Sequence, residues 1–178
     1  RDFTINAIYL NKKGKLFDPQ NGVSDLNNNV VKFIGDPQTR IEEDFLRIIR
    51  FIRFTIQYES SVEYTTVQAI KLKLNGIKNL SKERILSELI KILELENFFN
   101  LIDNKELLEI FRLIFPEFKN INRFKNFKFL KNHIENSVTF LLAILLVDLQ
   151  GNHEYFSHKY KVSNKIRENL NLIGNRFK

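Results

Sequence analysis

The sequence has no cysteine, no methionine and no tryptophan, and only three histidines and three prolines among 178 residues. The missing cysteine excludes disulfides, thiolate metal sites and a cysteine nucleophile. His133, His153 and His158 are too scattered to suggest a metal cluster. Methionine is lacking even at position 1, so the chain is expected to be cut from something longer or to lack its beginning. The longest apolar run, residues 140–147, is far short of the roughly 20 residues that span a bilayer. The first ten residues carry no signal-peptide pattern. These absences point to a reducing, cytoplasmic compartment and no membrane partner. What is present is an ordinary apolar fraction of 43%, with 28 Lys+Arg against 21 Asp+Glu and a net charge of +7. That surplus invites a polyanion. The abundance of Asn and Ile, 21 of each, also fits an AT-rich coding sequence without selection for RNA binding.

Residues 3–10 are rich in β-branched and aromatic types, and Asn11 to Gly14 is a turn signal. With residues 15–18 they predict a β-hairpin. Ser24 or Asp25 is expected to cap a short helical turn, and residues 30–34 read as a third short strand. After Arg40 the apolar period becomes helical. One helix is predicted over about 42–57, others over 64–74, about 82–95 behind Ser81 as N-cap, 106–114 stopped before Pro116, 133–149 and 163–173. The layout is a small β-rich piece, residues 1–34, followed by an all-helical remainder. A lone hairpin with one strand is marginal in water, so the β piece calls for further strands.

Four segments stand out in register: Arg1-Asp-Phe-Thr-Ile-Asn6-Ala, Asp18-Pro-Gln-Asn-Gly22-Val-Ser-Asp25-Leu, Gly35-Asp-Pro-Gln-Thr-Arg40 running on to Glu43-Asp44-Phe-Leu-Arg47-Ile-Ile-Arg50, and Arg84-Ile-Leu-Ser-Glu88-Leu. Together they resemble the bacterial tRNA nucleotidyltransferase/poly(A) polymerase family, the class II CCA-adding enzymes. The likeness is dense over residues 1–93 and thin afterwards. Asn21 stands where the family has the first Gly of a pair, and Phe45 where it has Pro. Asn tolerates left-handed backbone, so the turn is expected to survive.

The resemblance implies a mainly α chain: residues 1–34 as a remnant of a nucleotidyltransferase head, 35–100 as a helical neck with a nucleotide-selecting helix, and 101–178 as a helical body. It implies that Asp44 and Arg47 select the incoming CTP or ATP without a nucleic-acid template. The residues make chemical sense of this. At spacing i, i+3 both side chains are expected on one helix face. A carboxylate accepts from an exocyclic amine, and a guanidinium donates to a ring nitrogen or carbonyl. The bland alternative is a surface ion pair worth a few tenths of a kcal/mol. Arg1, Asp2 and Asn6, expected at a strand start, are placed by the resemblance around the ribose and base. Arg40 and Arg50 are candidates for the triphosphate or RNA backbone. Asp18, Gly22 and Asp25 are expected to shape a loop, Gly22 by a positive φ, and Glu88 to brace the neck.

Residues 118–131 hold five cations and no acid, interleaved with aromatics. Lys119, Arg123, Lys125 and Lys128 are therefore candidates for an RNA face. The competing reading is a biased linker whose phenylalanines are core. Around Asp148, where related helical regions carry a His-Asp metal pair, none is expected, because Val147 precedes the Asp. In the family, magnesium is held by a Gly-Ser motif and an Asp-x-Asp pair that precede the Arg-Asp-Phe-Thr segment. The expectations are therefore no catalytic residue and no metal ligand in this chain, and little activity alone. The partners implied are a tRNA acceptor end, CTP and ATP; transfer is expected only when the chain is joined to a complete head, and a split enzyme with the head supplied by a separate polypeptide is a variant of that reading. A helical RNA-binding module without catalysis and a decaying gene product are the alternatives.

Overall fold

The structure is a computed structural model that describes residues 1–127 and 137–176. The chain is mainly helical with one two-stranded sheet, and it divides into two units, Arg1–Leu80 and Ser81–Lys178. No helix among the described residues is long and apolar enough to cross a membrane.

In the first unit, β1 (Tyr9–Leu10) pairs antiparallel with β2 (Leu16–Phe17), Tyr9 opposite Phe17 and Leu10 opposite Leu16. Asn11 closes the hairpin by accepting the N–H groups of Lys13 and Lys15, and Gly14 takes φ +75. The expected strand over 3–10 is only partly extended. Thr4–Asn6 winds into a 3₁₀ turn, because the Thr4 hydroxyl is drawn to the Asp25 carboxylate at 2.6 Å. Residues 30–34 form isolated bridges instead of a strand, Phe3 to Phe33 and Val30 to Ser61. The bridge leaves Phe3 fully buried among Phe33, Phe51 and Phe54.

The cap of α1 (Gly22–Asn27) is Asp18, not Ser24 or Asp25: its carboxylate accepts the N–H groups of Gly22 and Val23. The left-handed residue is Asn21, at φ 55, so the position where the family has Gly keeps its turn. Gly22 is needed for closeness, since a Cβ there would stand 2.2 Å from the Thr4 carbonyl oxygen.

The helix expected over 42–57 is two helices, α2 (Pro37–Glu43) and α3 (Leu46–Gln57), separated at Asp44. Asp36 caps α2 through the Thr39 N–H and hydroxyl, with Pro37 in the first turn. Ile48, Ile49, Phe51 and Ile52 of α3 are fully buried and anchor the core. α4 (Tyr64–Lys73) follows and runs into a 3₁₀ segment, Leu74–Asn79, in which Gly76 lies against the Phe45 ring.

The second unit holds α5 (Lys82–Leu93), α6 (Lys105–Ile114), α7 (Phe124–Phe127), α8 (Val138–Leu146), α9 (Asn152–Tyr160) and α10 (Asn164–Arg176). Ser81 and Asn104 cap α5 and α6. The helix expected over 133–149 is α8, which starts at Val138 behind the Ser137 cap and ends early, at Leu146; positions 133–136 of the expectation lie outside the described residues. α9 carries a buried stripe at 153, 156, 157 and 160, but two of its members are His and Ser, so hydropathy conceals it. Phe98, Phe111, Phe115, Phe118, Phe124, Phe156 and Tyr160 form a continuous aromatic core, with ring centroids 4.6–6.4 Å apart.

A Cβ at Gly76 would come within 2.0 Å of the Phe45 ring, a whole aromatic side chain that must then move. Gly76→Ala should therefore cost about 1–3 kcal/mol of stability. In a Phe45→Ala background the same change should cost much less, which thermal melting of the four proteins would read.

Candidate nucleotide-binding site

Local structure and long-range pairing together build an arginine cluster where α2 gives way to α3. Arg40 leaves the last turn of α2, and Arg47 and Arg50 stand one turn apart on α3. Asp2 arrives from the other end of the unit, held by the Ile34 N–H donating to the Asp2 carbonyl and the Thr4 N–H to that of Lys32. Asp2 Oδ1 accepts from Arg47 Nε at 2.8 Å. Asp2 Oδ2 lies 2.6 Å from Arg50 Nε, an ion contact whose angle falls short of a hydrogen bond. Arg47 Nη1 donates to the Arg40 carbonyl at 2.6 Å and to Glu43, which also accepts from Arg40 Nη1. Arg40 Nη2 donates to the Arg1 carbonyl at 2.7 Å. The Arg47 and Asp2 side chains are 14% and 16% exposed, and that of Glu43 is 45% exposed. Three guanidinium groups thus face two carboxylates.

Burial alone would lower the Arg47 pKa, but the hydrogen bonds to Glu43 and Asp2 outweigh it and the net shift is upward. The Glu43 carboxyl is pulled below its ordinary 4.5, first by the Arg47 hydrogen bond and then by Arg40, against a smaller cost of burial.

The expected residues divide as follows. Arg1, Asp2, Arg40, Arg47 and Arg50 come together. The Arg1 guanidinium itself stays exposed, 6.0 Å from the Tyr9 ring centre. Asn6 ends the 3₁₀ turn, and its side chain enters none of these contacts. Asp44 and Arg47 do not share the face of one helix. Asp44 is extended, φ −157 and ψ 106; its carboxylate accepts the Leu46 N–H at 3.1 Å and its carbonyl the Arg47 N–H at 3.0 Å. A short acid that bonds nearby main chain competes with helix, and here it starts α3. Arg40 and Arg50 are engaged in ion pairs, not free on solvated helix faces.

Glu43 was not among the expected site residues. Its spacing to Arg40 and Arg47, i−3 and i+4, is a signal that could have found it. Arg53 was also missed; it lies over the Phe54 ring, 4.1 Å from its centre.

Of the expected RNA face, Lys119 and Lys125 are exposed and Lys128 lies outside the described residues. Arg123 instead closes the C-terminus of α8, donating to the carbonyls of Ile144 and Val147 at 3.1 and 2.8 Å. Phe118, Ile121 and Phe124 are core. Glu88 is buried and paired with Lys91 at 2.8 Å. Asp148 accepts the Gln150 and Asn152 N–H groups at the start of α9. The carboxylates of the arginine cluster are taken by guanidinium groups, and no group of three His, Asp or Glu suited to a metal occurs among the described residues. The residues present do not fit a magnesium site.

Two family models match the chain: the poly A polymerase head domain over residues 1–32, and the probable RNA and SrmB-binding site of polymerase A over residues 61–122. A CCA-adding enzyme of Staphylococcus epidermidis is 34% identical over 165 residues, 93% of this chain and 40% of that protein. One of Lactobacillus helveticus is 45% identical over 92 residues, 52% of this chain and 23% of that protein. In fold, the chain is similar to the apo form of a tRNA-processing enzyme, with TM-score 0.78, 21% identity, and coverage of 100% of this chain and 52% of that one. It is also similar to the Thermotoga maritima CCA-adding enzyme complexed with tRNA, with TM-score 0.69, 23% identity, and coverage of 98% and 46%. The chain shares its fold with about half of each of these two structures. The chain belongs to the bacterial tRNA nucleotidyltransferase/poly(A) polymerase family, and it spans less than half the length of these curated relatives.

Asp2→Ala leaves two guanidinium groups without their shared carboxylate and should cost about 2 kcal/mol, read by urea denaturation. Glu43 has a depressed folded pKa, so its contribution to stability is complete above its ordinary value of 4.5 and is lost as pH falls through the lower folded value. Glu43→Gln should remove that part of the acid sensitivity in a pH series of thermal melts.

Proposed function

We propose that this chain is the nucleotide-selecting and RNA-contacting part of an RNA nucleotidyltransferase that adds C and/or A from CTP or ATP to tRNA 3′ ends without a nucleic-acid template. The observation that carries the reading is the arginine cluster at the α2–α3 junction, which gathers five of the seven residues expected around a nucleotide and stands beside a sixth, Asp44. A nucleotide brings a triphosphate for guanidinium groups and a base edge with both donors and acceptors. Arg47 has Nε and Nη1 engaged, so a base meets Nη2 first. Offering a second, parallel donor requires Glu43, the exposed partner, to release Nη1. Asp44 stands at a break in the helix, and its carboxylate would accept from an exocyclic amine in exchange for its present contacts, the Leu46 N–H among them.

Residues 1–34 act as part of a head, 35–100 as neck and 101–178 as body. The metal-assisted step, in which magnesium would activate the RNA 3′-hydroxyl and neutralise the triphosphate, belongs to carboxylates outside this chain. A complete head, joined to this chain or carried by a separate polypeptide, would supply them. The chain alone is then a binding partner with little transfer activity.

The match to an RNA-binding family model over residues 61–122 favours one other reading, a helical RNA-binding module without nucleotide selection. Equilibrium binding of CTP and ATP to the full chain separates the two. Asp44→Ala and Arg47→Ala should each weaken nucleotide binding at least tenfold, while RNA binding persists. Nucleotide binding unchanged in both variants would leave the module reading standing and end the template-like role of these residues.

A further inference from the structure

The second unit has an open cleft of about 370 Å³, lined by both polar and apolar surface, that the nucleotide site does not use. One wall is the loop after α6, with Glu117 and Lys119, and the other is the start of α9, with Gln150, Asn152, Tyr155 and Lys159. The walls are tied together from within. Glu117 is 5% exposed and ion-paired to Lys159, and its carbonyl accepts from Asn152 Nδ2 at 2.7 Å. Burial is the largest single influence on Lys159 and lowers its pKa, but the hydrogen bond to Glu117 and the interactions with Glu117 and Tyr160 together raise it, so Lys159 keeps its charge against its ion-pair partner. The cleft's net charge is then that of Lys119, which is exposed. Tyr155 is 60% exposed, although its neighbours Phe156 and Tyr160 on the same helix are buried.

An exposed aromatic ring beside a free ammonium group, on a wall braced by a buried ion pair, matches the chemistry of one unstacked nucleotide. The ring offers a face for any base, the ammonium group meets a phosphate, and the Gln150 amide can both donate to and accept from a base edge. We propose that this cleft seats one unstacked nucleotide of a single-stranded RNA segment, its base on Tyr155 and its phosphate at Lys119. The proposal rests on the reading that the chain's partner is RNA, and it adds a contact distinct from the selection of CTP or ATP.

The test is fluorescence anisotropy of a labelled ten-nucleotide oligo(A) RNA titrated with the full chain across a salt series. Tyr155→Ala should weaken binding about tenfold, and Tyr155→Phe should bind like the wild type. Lys119→Gln should reduce the slope of log K against log salt by about 0.7. Both positions are exposed, so melting temperatures should stay unchanged. Wild-type binding matched by Tyr155→Ala and Lys119→Gln would overturn the cleft as an RNA contact and leave the RNA-partner reading intact. Absence of salt-dependent RNA binding by the wild type would overturn both.

Discussion

Asp2 is the residue on which the first unit turns. Its two carboxylate oxygens reach two arginines on the same helix, and it lies forty-five residues from one of them. A carboxylate removed from water is tolerable only when its charge is met. Here two guanidinium groups meet it, and the N-terminal segment is drawn onto α3. That attachment puts Phe3 in the core and aligns the Phe3–Phe33 bridge. It also orders the Arg1 carbonyl for Arg40. Without Asp2, Arg50 would lose its carboxylate and Arg47 one of its two, while Glu43 and main-chain carbonyls would still hold Arg40 and Arg47.

The break at Asp44 follows from the same economy. A continuous helix from Pro37 to Gln57 would keep the apolar stripe of α3 intact, and the stripe is what suggests one helix in the sequence. The main chain instead extends at Asp44, and the Glu43 carboxylate serves Arg40 and Arg47 together. Phe45 lays its ring on Gly76. The position that helps start the helix also packs against the 3₁₀ segment after α4.

What the sequence discloses here is what depends on near neighbours. The hairpin turn at Asn11 to Gly14, the Ser81 cap and the ends of α4, α5 and α6 follow from residues within one turn of each other, and they fall within a residue or two of expectation. The 3₁₀ turn at Thr4–Asn6 depends on Asp25, and the role of Asp2 depends on Arg47 and Arg50; neither partner is visible locally. α9 was hidden for another reason, since His153 and Ser157 occupy its buried face and a hydropathy pattern registers them as surface. Of the site, residue types and motif order were legible. That Asp2 would hold Arg47 and Arg50 was not, because pairing between distant charges leaves no period in the sequence; the local spacing of Glu43 to Arg40 and Arg47 is the one part of the pairing that does.

The stretch of lysines and phenylalanines after Pro116 shows how spacing misleads about binding surfaces. Aromatics at intervals of two to six residues with cations between them are the mark of a stacking platform, and equally of an amphipathic segment that buries one face. The structure separates these by exposure. Phe118 and Phe124 are spent on the aromatic core, and Arg123 on the end of α8, so the pattern there is packing. An aromatic ring available to a ligand is one the core does not need. Tyr155 meets that condition on a helix whose composition gives no hint of it, and the lysine it can act with, Lys119, comes from the segment whose phenylalanines are buried.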